Sequence, residues 1–316
     1  MGVHKTWDSI AGSAESTLTL GRMDAKSYSS ALVATLALGG VLFLLLRVLV
    51  RHLQSEKGML KKILYLDQNA LVDVIKNRDP AFAHAVQRFR QLGGRIVYAP
   101  PHIEEIANIY RSNASEPDCE KHVAEHLKGI RELTDCWEFL PNEEPNSPGR
   151  LLQEDPAECL DRVIDQYELT YVAEGNEQAL RDLVLQNQVK PTPANAFSNA
   201  ILHSIWKNRM WNRGFDPESY PTGNSLRDSF KATEGMIDIC FRSLHDAGYG
   251  LEKKAKTRSA IHDVSHAIYA TMADIFVSGD SRMLDKTTAV YRFLETDCEV
   301  LSKEDFISYV DSLQNN

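Results

Sequence analysis

ILYLDQNAL, residues 63–71, decides how this chain reads. Four apolar residues, Ile63 to Leu66, run into Asp67, and a helix-forming stretch opens near Asn69. A short apolar run bounded by a turn-forming acid reads as a buried strand that delivers its carboxyl end to a helix. The pattern recurs downstream. A helix over 80–92 is stopped by Gly93 and Gly94, and RIVYAP (95–100) reads as a second strand. Pro100 and Pro101 then open the helix HIEEIANIY, as proline does at a first helical turn. DIFVSGD (274–280) and CEVLS (298–302) read as two further strands. A last helix over 303–313 starts at Ser302, with Asp305 placed to close a capping box. Alternating strands and helices imply an α/β domain with parallel strands and crossover helices. Between them, 118–272 is mostly helical by pattern and shows no convincing alternating strand. Breakers divide it at 141–149, 190–193 and 214–224. The expected architecture is three-layered: a small parallel sheet within 63–316, split by a helical insertion over about 116–224.

The chain has 316 residues, 43% hydrophobic and 25% charged, which excludes disorder as the general state. A net charge of −9 argues against a broad basic surface that coats nucleic acid, yet leaves room for local contacts to it. The cysteines are Cys119, Cys136, Cys159, Cys240 and Cys298, an odd number without C-x-x-C spacing, as expected in a reducing compartment. Cys119, His122 and His126 share a helical side. A zinc site would need a fourth ligand, and none stands out. Val123, Leu127, Ile130 and Leu133 make the same segment a packed helix with flanking histidines.

At the N-terminus, a tail (1–29) precedes ALVATLALGGVLFLLLRVLV (31–50), inside an expected transmembrane helix over 30–52. Twenty residues rising ~1.5 Å each cover the ~30 Å hydrocarbon core. Arg47 can snorkel to the headgroups. A buried core helix is rarely apolar all round, and a cleaved signal would begin earlier and end in small residues. Arg51, Lys57, Lys61 and Lys62 follow the span, while Lys5, Arg22 and Lys26 precede it. That bias puts the polar linker (53–62) and the domain in the cytoplasm of a single-pass membrane protein. MGVHKT also fits a myristoylation pattern, which would require the opposite orientation.

In an open α/β sheet, ligands bind beyond the carboxyl ends of the strands. Asp67 and Asp280 end strands there, Glu104 and Glu105 stand one helical turn past the second strand, and Asp263 lies on the helix before 275–279. Carboxylates gathered at one edge repel each other, and a hard divalent cation, Mg2+ or Mn2+, relieves that repulsion. Two such ions can activate water against a phosphodiester. Singly, each acid has an ordinary use: a helix cap, a solvated helix start or a turn.

ILYLDQNAL, IVYAPPHIEEI and HDVSHAIYATMADIFVSGDSRM (262–283), in this order, resemble the signature blocks of the PIN-domain nucleases. The tail AVYRFLETDCEVLSKEDFI is similar to their closing strand and helix. The resemblance covers residues 62–115 and 225–312, and it implies a PIN-like metal site. Asp67, Glu105, Asp263 and Asp280 are its implied metal ligands, with Glu104 competing for the place of Glu105. Asn69 and Ser278 are implied to orient those acids. His266 is implied either to contact phosphate or to serve structure. Lys254, Lys256 and Arg258 before Asp263, and Arg282 after Asp280, are the candidates for backbone contact; a solvated charge run is the other reading. The implied activity is a Mg2+- or Mn2+-dependent endoribonuclease tethered to a membrane, of toxin or defence type. The alternatives are a non-catalytic interaction module and a structure-specific DNA nuclease. A regulatory protein or a second copy of the chain is expected on the insertion.

Overall fold

The computed structural model describes residues 60–112, 118–142, 144, 146–167, 192–249 and 257–314. The N-terminal tail, the 31–50 span, most of the linker, and Lys254 and Lys256 lie outside the described residues. Among the described residues, no helix is long and apolar enough to cross a membrane. Residues 59–316 make one compact unit.

β1 (Ile63–Leu66) is an inner strand of a parallel sheet with β2 (Arg95–Val97), β5 (Ile275–Ser278) and β6 (Glu299–Ser302), in the order β2-β1-β5-β6. Leu64, Tyr65 and Leu66 are all buried, because both faces of the sheet are covered. Alternate residues feed two cores. Tyr65, Val97 and Phe276 face one; Leu64, Leu66, Ile96, Ile275 and Val277 face the other. The second core is closed by helices α1 (Gln68–Ile75), α2 (Pro80–Gln91), α3 (Pro100–Ser112), α4 (Cys119–Thr134), α5 (Pro156–Tyr167) and α11 (Lys303–Gln314). The first is closed by α6 (Ala200–Asn212), α7 (Asn224–Arg227), α8 (Phe230–Asp246), α9 (Thr257–Ala270) and α10 (Ser281–Phe293). The result is the expected layering of helices, sheet and helices.

Local chemistry sets the element ends. Asp67 caps α1 and Asp79 caps α2, with Pro80 in its first turn. Gly93 turns the chain out of α2 at φ 93°, and a Cβ on Gly94 would lie 2.2 Å from the Phe89 ring. Ser302 Oγ accepts from the Asp305 N–H at 3.0 Å, which opens α11.

The insertion departs from its helical reading. β3 (Trp137–Leu140) and β4 (Arg150–Gln153) form an antiparallel pair with Phe139 opposite Leu151. β3 also continues the main sheet at its β2 edge: the Tyr98 N–H donates to the Trp137 carbonyl at 2.9 Å, and the Phe139 N–H to the Tyr98 carbonyl at 2.8 Å. The burial of WEFL does not alternate, since its one acid, Glu138, is fully buried beside Phe139 and Leu140. Arg162 of α5 compensates it, with 3.0 Å from the guanidinium to both Glu138 Oε1 and Glu154 Oε1. Phe139, Phe197, Leu202 and Trp206 join one core and Val123, Ile130, Cys159 and Val163 the other, so the described residues of this stretch complete the packing of the sheet. Cys119 and His126 are buried in α4, whereas His122 is exposed on it.

Candidate active site

The chain leaves β1 towards β2 and β3 on one side and returns to β5 on the other. The topology therefore reverses between β1 and β5, and the crevice of an open α/β sheet lies outside the carboxyl ends of the two strands flanking such a reversal. Asp67 follows β1 and Gly279-Asp280 follow β5. The Asp67 N–H donates to the Val277 carbonyl at 2.9 Å, which fixes the two ends side by side.

Asp67 is 6% exposed. Its Oδ1 accepts from the Ala70 N–H at 2.6 Å, and its Oδ2 accepts from the Ser278 hydroxyl. Ser278 Oγ in turn accepts from the Asp280 N–H at 3.0 Å, tying the two strand ends together. Burial raises the Asp67 pKa to about 6; the bonds from Ser278 and Ala70 oppose the rise, the charge of Glu105 adds to it, and Lys303 lowers it. Ser278 thus holds one oxygen of Asp67. Asn69 is exposed on the first turn of α1.

Glu105 is held by a chain of buried groups. His266 Nε2 stands 3.0 Å from Glu105 Oε1, and its Nδ1 stands 2.8 Å from the Tyr65 hydroxyl. A carboxylate only accepts, so Nε2 carries the proton, Nδ1 accepts, and Tyr65 donates. Burial lowers the His266 pKa to about 3, which keeps it neutral for that role. His266 is 3% exposed, so it positions Glu105 and offers no face to a phosphate. His102 packs on it at 4.7 Å between rings and donates from Nε2 to the Leu66 carbonyl at 2.8 Å, tying α3 to the end of β1. Glu104 turns elsewhere, 3.7 Å from His262 Nδ1; His262 Nε2 accepts from the Asn108 amide at 3.1 Å. Burial raises the pKa of both glutamates, and Glu105 raises Glu104 further.

Asp280 uses one carboxylate oxygen to cap α10, accepting from the Arg282 N–H at 2.8 Å, and its other oxygen lies 3.7 Å from the Arg282 guanidinium. Asp263 is partly exposed on α9, three residues before His266, and Arg258 lies in the first turn of that helix. Among the described residues, no three His, Cys, Asp or Glu side chains are gathered as one ion's ligands. That holds for the four acids and for Cys119, His122 and His126. What the fold does bring together is Asp67, Ser278 and Glu105, with Asp280 beside them. The donors would suit a hard cation in type: Asp67 and Glu105 offer carboxylate oxygens whose ionised forms are disfavoured by burial and, at Asp67, by the neighbouring charge.

Tyr65, His102, Asp73 and Lys303 belong to this edge and were not singled out from sequence. Lys303 carried a signal, since it directly follows the last strand, as Asp67 follows the first. Tyr65 carried none, being one apolar-strand residue among four.

No family model matches the chain, and no curated protein or solved structure matches it.

The geometry separates the two glutamates. If this edge holds a metal for catalysis, Glu105→Gln should lower the metal-dependent rate at least about tenfold, the scale on which an ion's surroundings act, while Glu104→Gln stays close to the parent. Paired rate measurements on the two variants check this; equal losses would make the His266 contact irrelevant to the site.

Proposed function

We propose that this chain is a metal-dependent nuclease of PIN-like type that cleaves RNA from a membrane-tethered, cytoplasm-facing position. One observation carries the reading: a buried carboxylate, Asp67, stands at the topological reversal of the sheet, bonded by Ser278 and within the field of Glu105. A helix cap needs neither that burial nor a neighbouring acid. Asp67 and Glu105 would hold the ion, with Asp280 and Asp263 flanking it. Bound Mg2+ or Mn2+ supplies Lewis acidity toward a phosphoryl oxygen and an activated water. The protein's own part is to hold the acids. The Ala70 N–H and Ser278 hydroxyl fix both oxygens of Asp67, and His266, backed by Tyr65, fixes Glu105. Fixed first-contact groups keep the barrier free of reorganisation. The preference for RNA and the toxin or defence role come from the resemblance, and the tether from residues 31–50.

The test is cleavage by the full-length chain in detergent, using end-labelled single-stranded RNA and flap DNA, with Mg2+, with Mn2+ and with EDTA. Cleavage of RNA that EDTA abolishes supports the reading. Preferential cleavage of the flap moves the substrate to DNA, equal cleavage in EDTA removes the metal, and an inert chain leaves a binding module.

A further inference from the structure

Lys303 opens α11 directly after β6, at the same edge as Asp67 and Asp280. Its ammonium is ion-paired with Asp73 of α1, and the two side chains are only 15% and 20% exposed. Its stem crosses the turn after β5, where a Cβ on Gly279 would stand 2.9 Å from Lys303 Cε and 3.2 Å from Nζ. Glycine at 279 is therefore what lets a lysine lie across the Ser278–Asp280 turn. Nζ also lies 5.6 Å from the centre of the Phe82 ring, which limits where the stem can go. The charge reaches the candidate ligand: Lys303 favours the ionised form of Asp67.

A phosphodiester entering this crevice meets an edge lined by acids. A divalent ion offsets the carboxylates, but each phosphate brings its own negative charge. Arg282 is engaged near Asp280. Lys303 already lies across the turn after β5, and an ammonium is a compact charge with freely rotating donors that can exchange one oxygen partner for another without rebuilding a planar fork. We infer that Lys303 contacts the phosphodiester of the bound strand, its ammonium passing from the Asp73 carboxylate to a phosphate oxygen. This rests on the nuclease reading of the site. Asp73 then acts as a parking partner that holds the lysine over Gly279 until substrate arrives.

The experiment separates contact from mere ion pairing. Binding of a short fluorescein-labelled single-stranded RNA is measured by anisotropy over a range of salt on the full-length chain with Asp67 intact, in Ca2+, an oxygen-seeking ion put in the place of Mg2+. Lys303→Met, Lys303→Arg or Asp73→Asn is then added, and thermal melts are recorded alongside. Lys303→Met should weaken binding about tenfold, the scale of one charge-assisted bond. It should also flatten the slope of log K against log salt by ~0.7, one phosphate contact on a single strand. Lys303→Arg keeps the charge but is crowded at Gly279, and should fall between. Asp73→Asn should bind as tightly as its parent or tighter, because it frees the ammonium. Lys303→Met binding like its parent overturns the inference. So does Asp73→Asn losing as much affinity as Lys303→Met, which is the behaviour of a structural pair. A chain that binds RNA through Lys303 but never cleaves it, with Asp67 intact and Mg2+ present, overturns the nuclease reading and leaves the contact standing. A chain that binds no RNA overturns both.

Discussion

Replacing Asp67 with Asn should abolish most cleavage while making the protein more stable at pH 8. The loss should be about two to three orders of magnitude, the scale of removing one preorganised charged group from a reacting centre. Shape is preserved: Asn caps helices as well as Asp does, its oxygen can still accept from the Ala70 N–H, and its amide nitrogen can donate to Ser278 Oγ where the carboxylate accepted. The stability change has a definite sign. The folded-state pKa of Asp67 is raised from 3.8 to about 6, so ionising it opposes folding. Its contribution is most favourable below pH 3.8 and is lost as pH rises through about 6. The full effect is about 3 kcal/mol at pH 8, which the Asn variant escapes. Denaturant melts without metal should show the variant above the parent at pH 8 and the two converging near pH 4. Saturating Mn2+ should raise the parent and leave the variant nearly unmoved, since the ion binds the folded state through that carboxylate. A variant that cleaves like the parent ends the proposal that Asp67 holds a metal. Loss of both activity and stability reduces Asp67 to a helix cap.

The sequence showed the frame of this site because the frame is local. An apolar run stopped by an acid, and a second one stopped by Ser-Gly-Asp, are strand ends whatever surrounds them. Parallel topology then forces both ends onto one edge. Asp67 and Asp280 were therefore legible from their positions alone, whereas Ser278 came only with the resemblance. The choice of Glu105 over Glu104 was not, because it depends on His266, reached only when α9 packs beside α3. His266 stayed open between phosphate contact and structure for a related reason: its spacing from Asp263 puts it on one side of a helix, but not at a depth. Lys303 was missed because its relevance depends on Gly279 leaving room for it and on Asp73 drawing it inward. β3 and β4 were missed because their stability is not local. WEFL is a strand only against β4 and against Tyr98 beyond β2, and four residues with one buried glutamate are too short to announce it.

That glutamate carries the second large effect. Glu138 has no exposed surface and is held by Arg162, and burial still pushes its pKa to about 7 despite the guanidinium. Arg162→Met keeps the aliphatic stem and removes the charge. An ionised carboxylate is then buried without its partner, which costs about 3–5 kcal/mol in such sites. The cost here should sit at the lower end, because Arg162 is 31% exposed and Glu138 escapes by taking up a proton. The defect must therefore depend on pH. In the parent, Glu138 opposes folding as pH rises from 4.5 through about 7. Without Arg162 the pKa climbs further, so stability keeps falling at higher pH. Melts should show Arg162→Met close to the parent near pH 5 and well below it at pH 8. Adding Glu138→Gln should restore most of the loss at pH 8 and flatten the profile, since no charge remains to be buried. The functional consequence follows from connectivity. β3 pairs with Tyr98 just before α3, α5 packs on α3, and α3 carries Glu105. Cleavage by Arg162→Met should therefore drop at pH 8 and recover in the double variant. A defect of equal size at both pH values, or one that Glu138→Gln cannot repair, would mean that Arg162 acts through packing of its stem and not through the buried charge.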